Sequence, residues 1–461
     1  MQGNGLSVED AAELARLAGL DVVNYDRERS PAAKRLGIRA AVLDRAVAHA
    51  RSPSSNSAGQ GLPRSAQEAA ALVDNAIKPE LEIRRSDLPA AAAALRDLFA
   101  TSEDLFDRDG PVKVVRSAEG NAPRVVPLDR HAVVIEAHRV CRPVMVTAEG
   151  ERLPVTLPER VANLFLSMRG EHGLRPLDGI SAAPLLDADG GLRACEGYDP
   201  KTALWCAGIP PVALPERPSL KDAKRALQAL RRAFRTFPFA DATRRLDPEL
   251  GVDVVVDKRP RRDESALLTG LLTAVCRPNL PLAPGLMVVA ARISGAGSGK
   301  GLLVRAISAI AYGVPPRAFT AGRDPHELDK RLTAELIGAD PCLFIDNVNG
   351  AVLQSDTLAS VLTERPARTR VMRESRMALL NSTAFVAVTG NGLSPGEDLA
   401  RRFLLVELDA QCEDPELRPF PPGFLEKIQS RRPELLGAAL TIWRYGRQIR
   451  PLRRGKPARQ L

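Results

Sequence analysis

Leu286 to Arg305 reads LMVVAARISGAGSGKGLLVR and carries the residue types that holding a phosphate requires. Met287 to Ala291 is a short apolar run suited to a buried parallel strand. Gly295, Gly297 and Gly299 then let the backbone curl, so that successive N–H groups converge on one anion. Ser298 lies inside this turn, and Lys300 supplies a point charge able to reach the far phosphates. Gly301 and the residues after it continue as a helix whose positive dipole end backs the same anion. Strand, glycine turn, lysine and helix together form a nucleotide-binding pattern. Two positions depart from G-x-x-x-x-G-K-[ST]. Ser294 stands at the first glycine, and Gly301 stands where a hydroxyl normally reaches Mg²⁺. Binding of a nucleotide is therefore better supported than its hydrolysis.

A second constellation follows about 45 residues later. In PCLFIDNVN, Cys342 to Ile345 read as a buried strand that ends in Asp346. A carboxylate at that strand end suits Mg²⁺ or its waters, so Asp346 is the expected metal-side residue. Asn347 occupies the place where a second acid often activates water, which leaves the general base unidentified. Ala384 to Val388 is a further buried strand leading into Thr389, Gly390 and Asn391. Asn391 is suited to touch the γ-phosphate or orient water. Arg401 and Arg402 precede the final strand FLLVELDA. Either they form salt bridges within the domain, or one reaches a neighbouring subunit's nucleotide.

Between these motifs, RPARTRVMRESRMALL predicts a hairpin bearing Arg365, Arg368, Arg370, Arg373 and Arg376. Such a row suits the phosphates of single-stranded DNA. It equally suits a solvated edge whose charges block aggregation.

The elements around these residues predict an α/β core over 261–411. A helical module with a helix–turn–helix look covers 1–50, where Ala32, Ala33 and Leu36 precede a turn at Gly37 and a second helix follows. A Ser/Gly/Pro linker spans 51–64, and a mixed α+β region spans 65–260. Within the latter, Ala66 to Ile77, Leu88 to Phe99 and Pro158 to Met168 predict helices. Strands are expected at Val112–Arg116 and Arg124–Leu128. DADGG (187–191) reads as a hairpin turn, since it lacks the closing glutamate of a calcium loop. Leu220 to Phe234 predicts a basic amphipathic helix, and 412–461 a C-terminal helix with a basic tail.

Composition fits a globular chain: 461 residues, 44% hydrophobic and 26% charged. The six cysteines are scattered, without C-x-x-C spacing, which argues against zinc and a disulfide framework. No long apolar run and no signal segment are evident, so no membrane association and a cytoplasmic protein are expected. Net charge is +9, and the stretch from Arg444 onward, with six arginines, Lys456 and no acid, holds much of it. Nucleic acid is the usual partner of such a tail.

In the order GSGK, FIDN, basic hairpin, TGN and LARRF, residues from about 262 to 411 resemble superfamily 3 helicases. More narrowly, they resemble the helicase part of phage- and plasmid-encoded primase-helicase proteins. YDRERSPAAKRLGI and EGYDPKTALW also look like segments found ahead of that part. The resemblance implies a P-loop core of the AAA+ type, with ATP and Mg²⁺ as cofactors. Lys300 then matches the loop lysine, Asp346 the strand acid, Asn391 the sensor asparagine, and Arg401 or Arg402 the arginine finger. It also implies a homo-oligomeric ring, usually a hexamer, whose hairpins contact single-stranded or forked DNA. The preceding 260 residues show no acidic catalytic cluster, so priming is expected from a separate primase.

Overall fold

Residues that are apolar at consecutive strand positions need cover on both faces of their sheet, and the centre of this molecule meets that need. The architecture comes from a computed structural model of the chain. It describes residues 13, 16–20, 22–36, 40, 43–44, 47, 78–116, 122–187, 191–290, 297–322, 324–348, 350, 352–371, 376–412 and 414–449. The chain divides into two compact units.

The first unit is Met1–Glu103 with Leu128–Gly173. Its helix Val22–Arg35 packs through Ala32 and Ala33 with Leu17, Leu43 and Val47. The expected turn at Gly37, the linker and the helix expected at 66–77 lie outside the described residues. Further on, Glu80–Ile83 pairs in parallel with Arg142–Val146, which pairs antiparallel with Arg152–Pro154. Helices Leu88–Phe99 and Glu159–Ser167 meet through Phe99 and Phe165, edge to face at 5.1 Å.

The second unit is Asp104–Pro127 with Leu174–Leu461. The strands that matter to the site are β1 (Gly285–Ala290), β2 (Ala318–Phe319), β3 (Cys342–Ile345), β4 (Ala367–Arg370), β5 (Met377–Leu380), β6 (Phe385–Asn391) and β7 (Phe403–Leu408). Its helices are α1 (Leu220–Phe234), α2 (Arg262–Cys276), α3 (Lys300–Tyr312), α4 (Pro325–Ile337), α5 (Asp356–Thr363), α6 (Glu397–Ala400), α7 (Phe424–Ser430) and α8 (Arg432–Ile449). A 5-stranded parallel sheet runs in the order β2-β3-β6-β1-β7, while β4 and β5 pair only with each other.

Alternation along each strand splits the side chains between two cores. Leu286, Val288, Phe344, Phe385, Ala387, Val406 and Leu408 face a core built with α1, α2, α3, α7 and α8. Met287, Leu343, Ile345, Val386 and Val388 face α4, α5 and Leu399 of α6. Each such Leu or Phe contributes about 1.5–3 kcal/mol by leaving water. The connection through α3 covers one face and the connection through α6 the other. They leave the adjacent strands β1 and β6 in opposite directions, which opens a crevice beyond those carboxyl ends.

Packing in this unit does not break at residue 260, where a boundary was expected. The expected 65–260 region is shared between the two compact units. Ser219 and Asp222 form a reciprocal cap on α1, and Arg231 ties α1 to Glu264 of α2 at 2.6 Å. The excursion Asp104–Pro127 supplies a three-strand meander and the buried Arg108. That guanidinium donates to the carbonyls of Leu336 and Ile337, which end α4, and of Leu177 and Asp178. Burial pushes its pKa down to about 10. Leu185–Leu186 and Leu192–Arg193 pair antiparallel on either side of the expected DADGG turn, and Asp187 N–H donates to Gly191 O at 2.8 Å, while 188–190 lie outside the described residues. Among the described residues no helix is long and apolar enough to cross a membrane.

Candidate functional site

The site forms at the carboxyl ends of β1, β3 and β6. Gly295 lies outside the described residues, as does the rest of 291–296. Gly297 and Gly299 have φ of +82° and +93°, where a side chain is strained. A Cβ on Gly297 would also come within 2.8 Å of the backbone nitrogen of Glu416, so the 415–417 turn lies directly against the loop. Gly299 caps α3 without any side-chain hydrogen bond. A helix start of this kind, with a glycine and no side-chain cap, suits an anion. Ser298 is buried and accepts from Lys300 Nζ at 3.2 Å. Partial burial lowers the Lys300 pKa, and the Asp346 carboxylate opposes that shift.

Asp346 follows β3 and is fixed from three sides. Its N–H donates to Phe319 O at 2.9 Å. Its Oδ1 accepts from the Thr389 hydroxyl, and its Oδ2 faces Arg305 Nη2 at 3.8 Å. The buried Thr389 hydroxyl also accepts from Asn347 N–H at 3.2 Å, so donor and acceptor roles are both used. Asn347 takes φ +63°, a left-handed conformation that asparagine tolerates, and its side chain is exposed. Gly390 is required because a Cβ there would lie 1.9 Å from Val348 O. Asn391 ends β6 in register with Ala290, the last residue before the loop. Lys300, Asp346 and Asn391 thus share one end of the sheet.

Gly301 presents the most informative geometry. A Cβ there would sit 2.7 Å from Arg305 Nη1 and 3.7 Å from Asp346 Oδ2. Arg305 also lies 5.6 Å over the Phe344 ring. The space that a hydroxyl side chain would enter is thus held by a guanidinium. This donor set does not fit a divalent cation bound directly to protein. Asp346 has one oxygen on Thr389 and the other toward a cation, and Gly301 contributes no oxygen.

Arg401 and Arg402 lie at the opposite end of the sheet. Gly285, the first residue of β1, donates to Arg402 O at 2.9 Å, so a six-residue strand separates this end from the loop. That is roughly 20 Å. The Arg402 side chain is engaged, donating to Ala359 O at 2.7 Å and Asp398 Oδ1 at 2.8 Å. Arg401 is exposed.

On the hairpin, Arg368 and Arg370 point outward opposite Leu379 and Met377, both exposed. Arg373 lies outside the described residues. Arg376 has a structural partner in Asp109, whose other oxygen accepts from Leu379 N–H at 3.3 Å. Arg365 donates to Leu280 O at 3.3 Å and faces Asp178 at 3.4 Å. Acids from distant sequence therefore hold the hairpin at both ends, Asp178 facing Arg365 ahead of the root and Asp109 holding Arg376 beside the turn, and Arg368 and Arg370 are its outward-facing described cations.

Sequence reasoning placed Lys300, Asp346 and Asn391 together but missed Arg305 and the role of Thr389. The available signal for Arg305 was a glycine four residues before an arginine on one helix face.

No family model matches the chain, and no curated protein does. Solved structures similar to it include the A form apo structure of the NrS-1 C-terminal region. That match is 15% identical with a TM-score of 0.28, covering 44% of this chain and 54% of that one. A second structure of the same region is 14% identical with a TM-score of 0.27, covering 52% and 48%. A ligand-bound JCV helicase is 12% identical with a TM-score of 0.22, covering 48% and 60%. The chain spans about half the length of the structures it matches.

Proposed function

We propose that the chain binds ATP through a P-loop at the carboxyl end of its parallel sheet. We further propose that it serves as an ATP-dependent DNA helicase or translocase subunit, working as a ring in the replication of a phage, plasmid or other mobile element. One observation carries the nucleotide reading. The uncapped, glycine-led N-terminus of α3, with Lys300 at its start, lies in the same crevice as Asp346, Thr389 and Asn391. Positive dipole and lysine suit the phosphates, and Asp346 and Asn391 suit the reacting end. Arg401, exposed at the far end of the sheet, is out of reach of its own site and suits a neighbour's. Arg368 and Arg370 suit the DNA backbone, and a separate primase would supply primers.

A second reading is an ATP-binding switch that hydrolyses slowly, such as a loader or regulator. Gly301 and the exposed Asn347 favour it, since neither supplies a metal oxygen or a base. The deciding experiment measures ATP turnover by the full chain with and without single-stranded DNA, alongside the mass of the assembly. A motor shows DNA-stimulated turnover in a multi-subunit species. A monomer whose turnover ignores DNA excludes the motor and leaves the switch.

A further inference from the structure

We propose that Arg305 takes the place of a divalent cation at this site, so that the loop binds a nucleoside triphosphate in its metal-free form. The inference rests on the proposed nucleotide site and specifies the state of its ligand.

Residues 301 and 305 are one helical turn apart on the same face of α3, and helical side chains lean toward the N-terminus. Arg305 therefore reaches back over residue 301, and its Nη1 would stand 2.7 Å from a Cβ there, so a larger residue would make the guanidinium shift. With glycine at 301, the guanidinium occupies the space beside Asp346 that a hydroxyl side chain would enter. Phe344 lies beneath the guanidinium, and Asp346 Oδ2 faces it at 3.8 Å. The Thr389 hydroxyl on Oδ1 holds Asp346 in that orientation. The Arg305 side chain is 37% exposed, so its outer N–H groups can meet a ligand. A planar fork of donors matches phosphate oxygens in pairs. Among the described residues, Lys300 and Arg305 set two cations beside the Asp346 carboxylate. A divalent ion brought to Asp346 would meet the guanidinium as a like charge.

The test is equilibrium titration of the full chain with a non-hydrolysable ATP analogue, in EDTA and in excess Mg²⁺. The wild type is expected to bind severalfold more tightly in EDTA than in excess Mg²⁺, which sequesters the metal-free analogue, and Arg305→Ala to lose about tenfold in EDTA and to bind better with Mg²⁺ than without. Gly301→Ser, which displaces the guanidinium and offers a hydroxyl, is expected to move in the same direction. Wild-type affinity that rises tenfold or more with Mg²⁺ overturns the inference, as does an Arg305→Ala protein that binds like wild type in EDTA. If Lys300→Ala still weakens binding while the wild type needs Mg²⁺, the nucleotide site stands and the role of Arg305 falls alone. If the wild type binds in neither buffer, both fall.

Discussion

The two ends of α3 receive opposite treatment. At its C-terminus, Gly313 turns left-handed and the helix carbonyls meet Arg432, which donates to Ile310 O at 3.2 Å and Ala311 O at 3.5 Å. The same guanidinium reaches Ala182 O and Gly208 O, and burial pushes its pKa down to about 10. At the N-terminus, Gly299 offers no side-chain cap, and Lys300 adds positive charge where the dipole is already positive. One end is completed by the chain's own cation and serves stability. The other is kept unfavourable until an anion completes it. A single helix dipole is thus divided between folding and binding.

That contrast can be broken most directly at Lys300. Lys300→Ala should weaken nucleotide affinity about 100-fold, as expected for loss of a charged hydrogen bond near 3 kcal/mol. Its melting midpoint should stay where it was. Titration and thermal unfolding on the same sample check both halves, and a protein that loses stability without losing affinity would reverse the assignment of this end.

Arg432→Ala should do the opposite. Four carbonyls lose their donor, so unfolding free energy should fall by about 2–4 kcal/mol in denaturant. Nucleotide affinity of the remaining folded protein should move by less than about threefold, well under the Lys300 effect. Equal losses of affinity in both variants would show that the two ends are not separable.

The hairpin carries the same distinction between working and structural arginines. Replacing Arg368 and Arg370 by alanine should flatten the salt dependence of single-stranded DNA binding by about 1.4 in log–log slope, at about 0.7 per lost contact. Arg376→Ala should leave that slope alone and loosen the turn end of the hairpin instead, because its partner is Asp109. A slope that drops only when residues 444–461 are removed would move the DNA contact to the tail.

The smallest signal is expected from subunit mixing. Lys300→Ala and Arg401→Ala proteins, each inactive alone, should recover a fraction of ATPase activity together, since some interfaces then join an intact loop to an intact arginine. Mixed assemblies that form and stay inactive would rule out a shared site.

What could be read from the sequence follows from how local the physics is. β1, β3 and β6 were legible because burial on both faces makes their residues continuously apolar. α1 was legible through the helical spacing of Ala223, Leu227, Leu230 and Phe234 on one face. The Gly297–Lys300 turn and Asp346 were legible for the same reason, each being a short pattern with a fixed mechanism. Arg108 was not, since its acceptors at Leu336 and Ile337 lie 228 and 229 residues away. The partners of Arg376 and Arg365 are likewise remote, so five hairpin arginines looked equivalent when they are not. Arg305 escaped for a subtler reason. An arginine on an amphipathic helix is ordinary until the glycine one turn earlier is known to leave its space empty.

The contact between Gly297 and the 415–417 turn bears on how the protein should be cut for study. Motifs alone would select a fragment ending near residue 411. Such a fragment lacks the backbone that lies against the loop at Glu416, and it also lacks Leu435, Leu436, Ala439 and Leu440, all buried beside α3. It would present a bare apolar helix face to water and a loop missing one wall. Fragments that keep Asp104–Pro127 and run through Ile449 should yield soluble material, whereas the shorter piece should collect in the pellet.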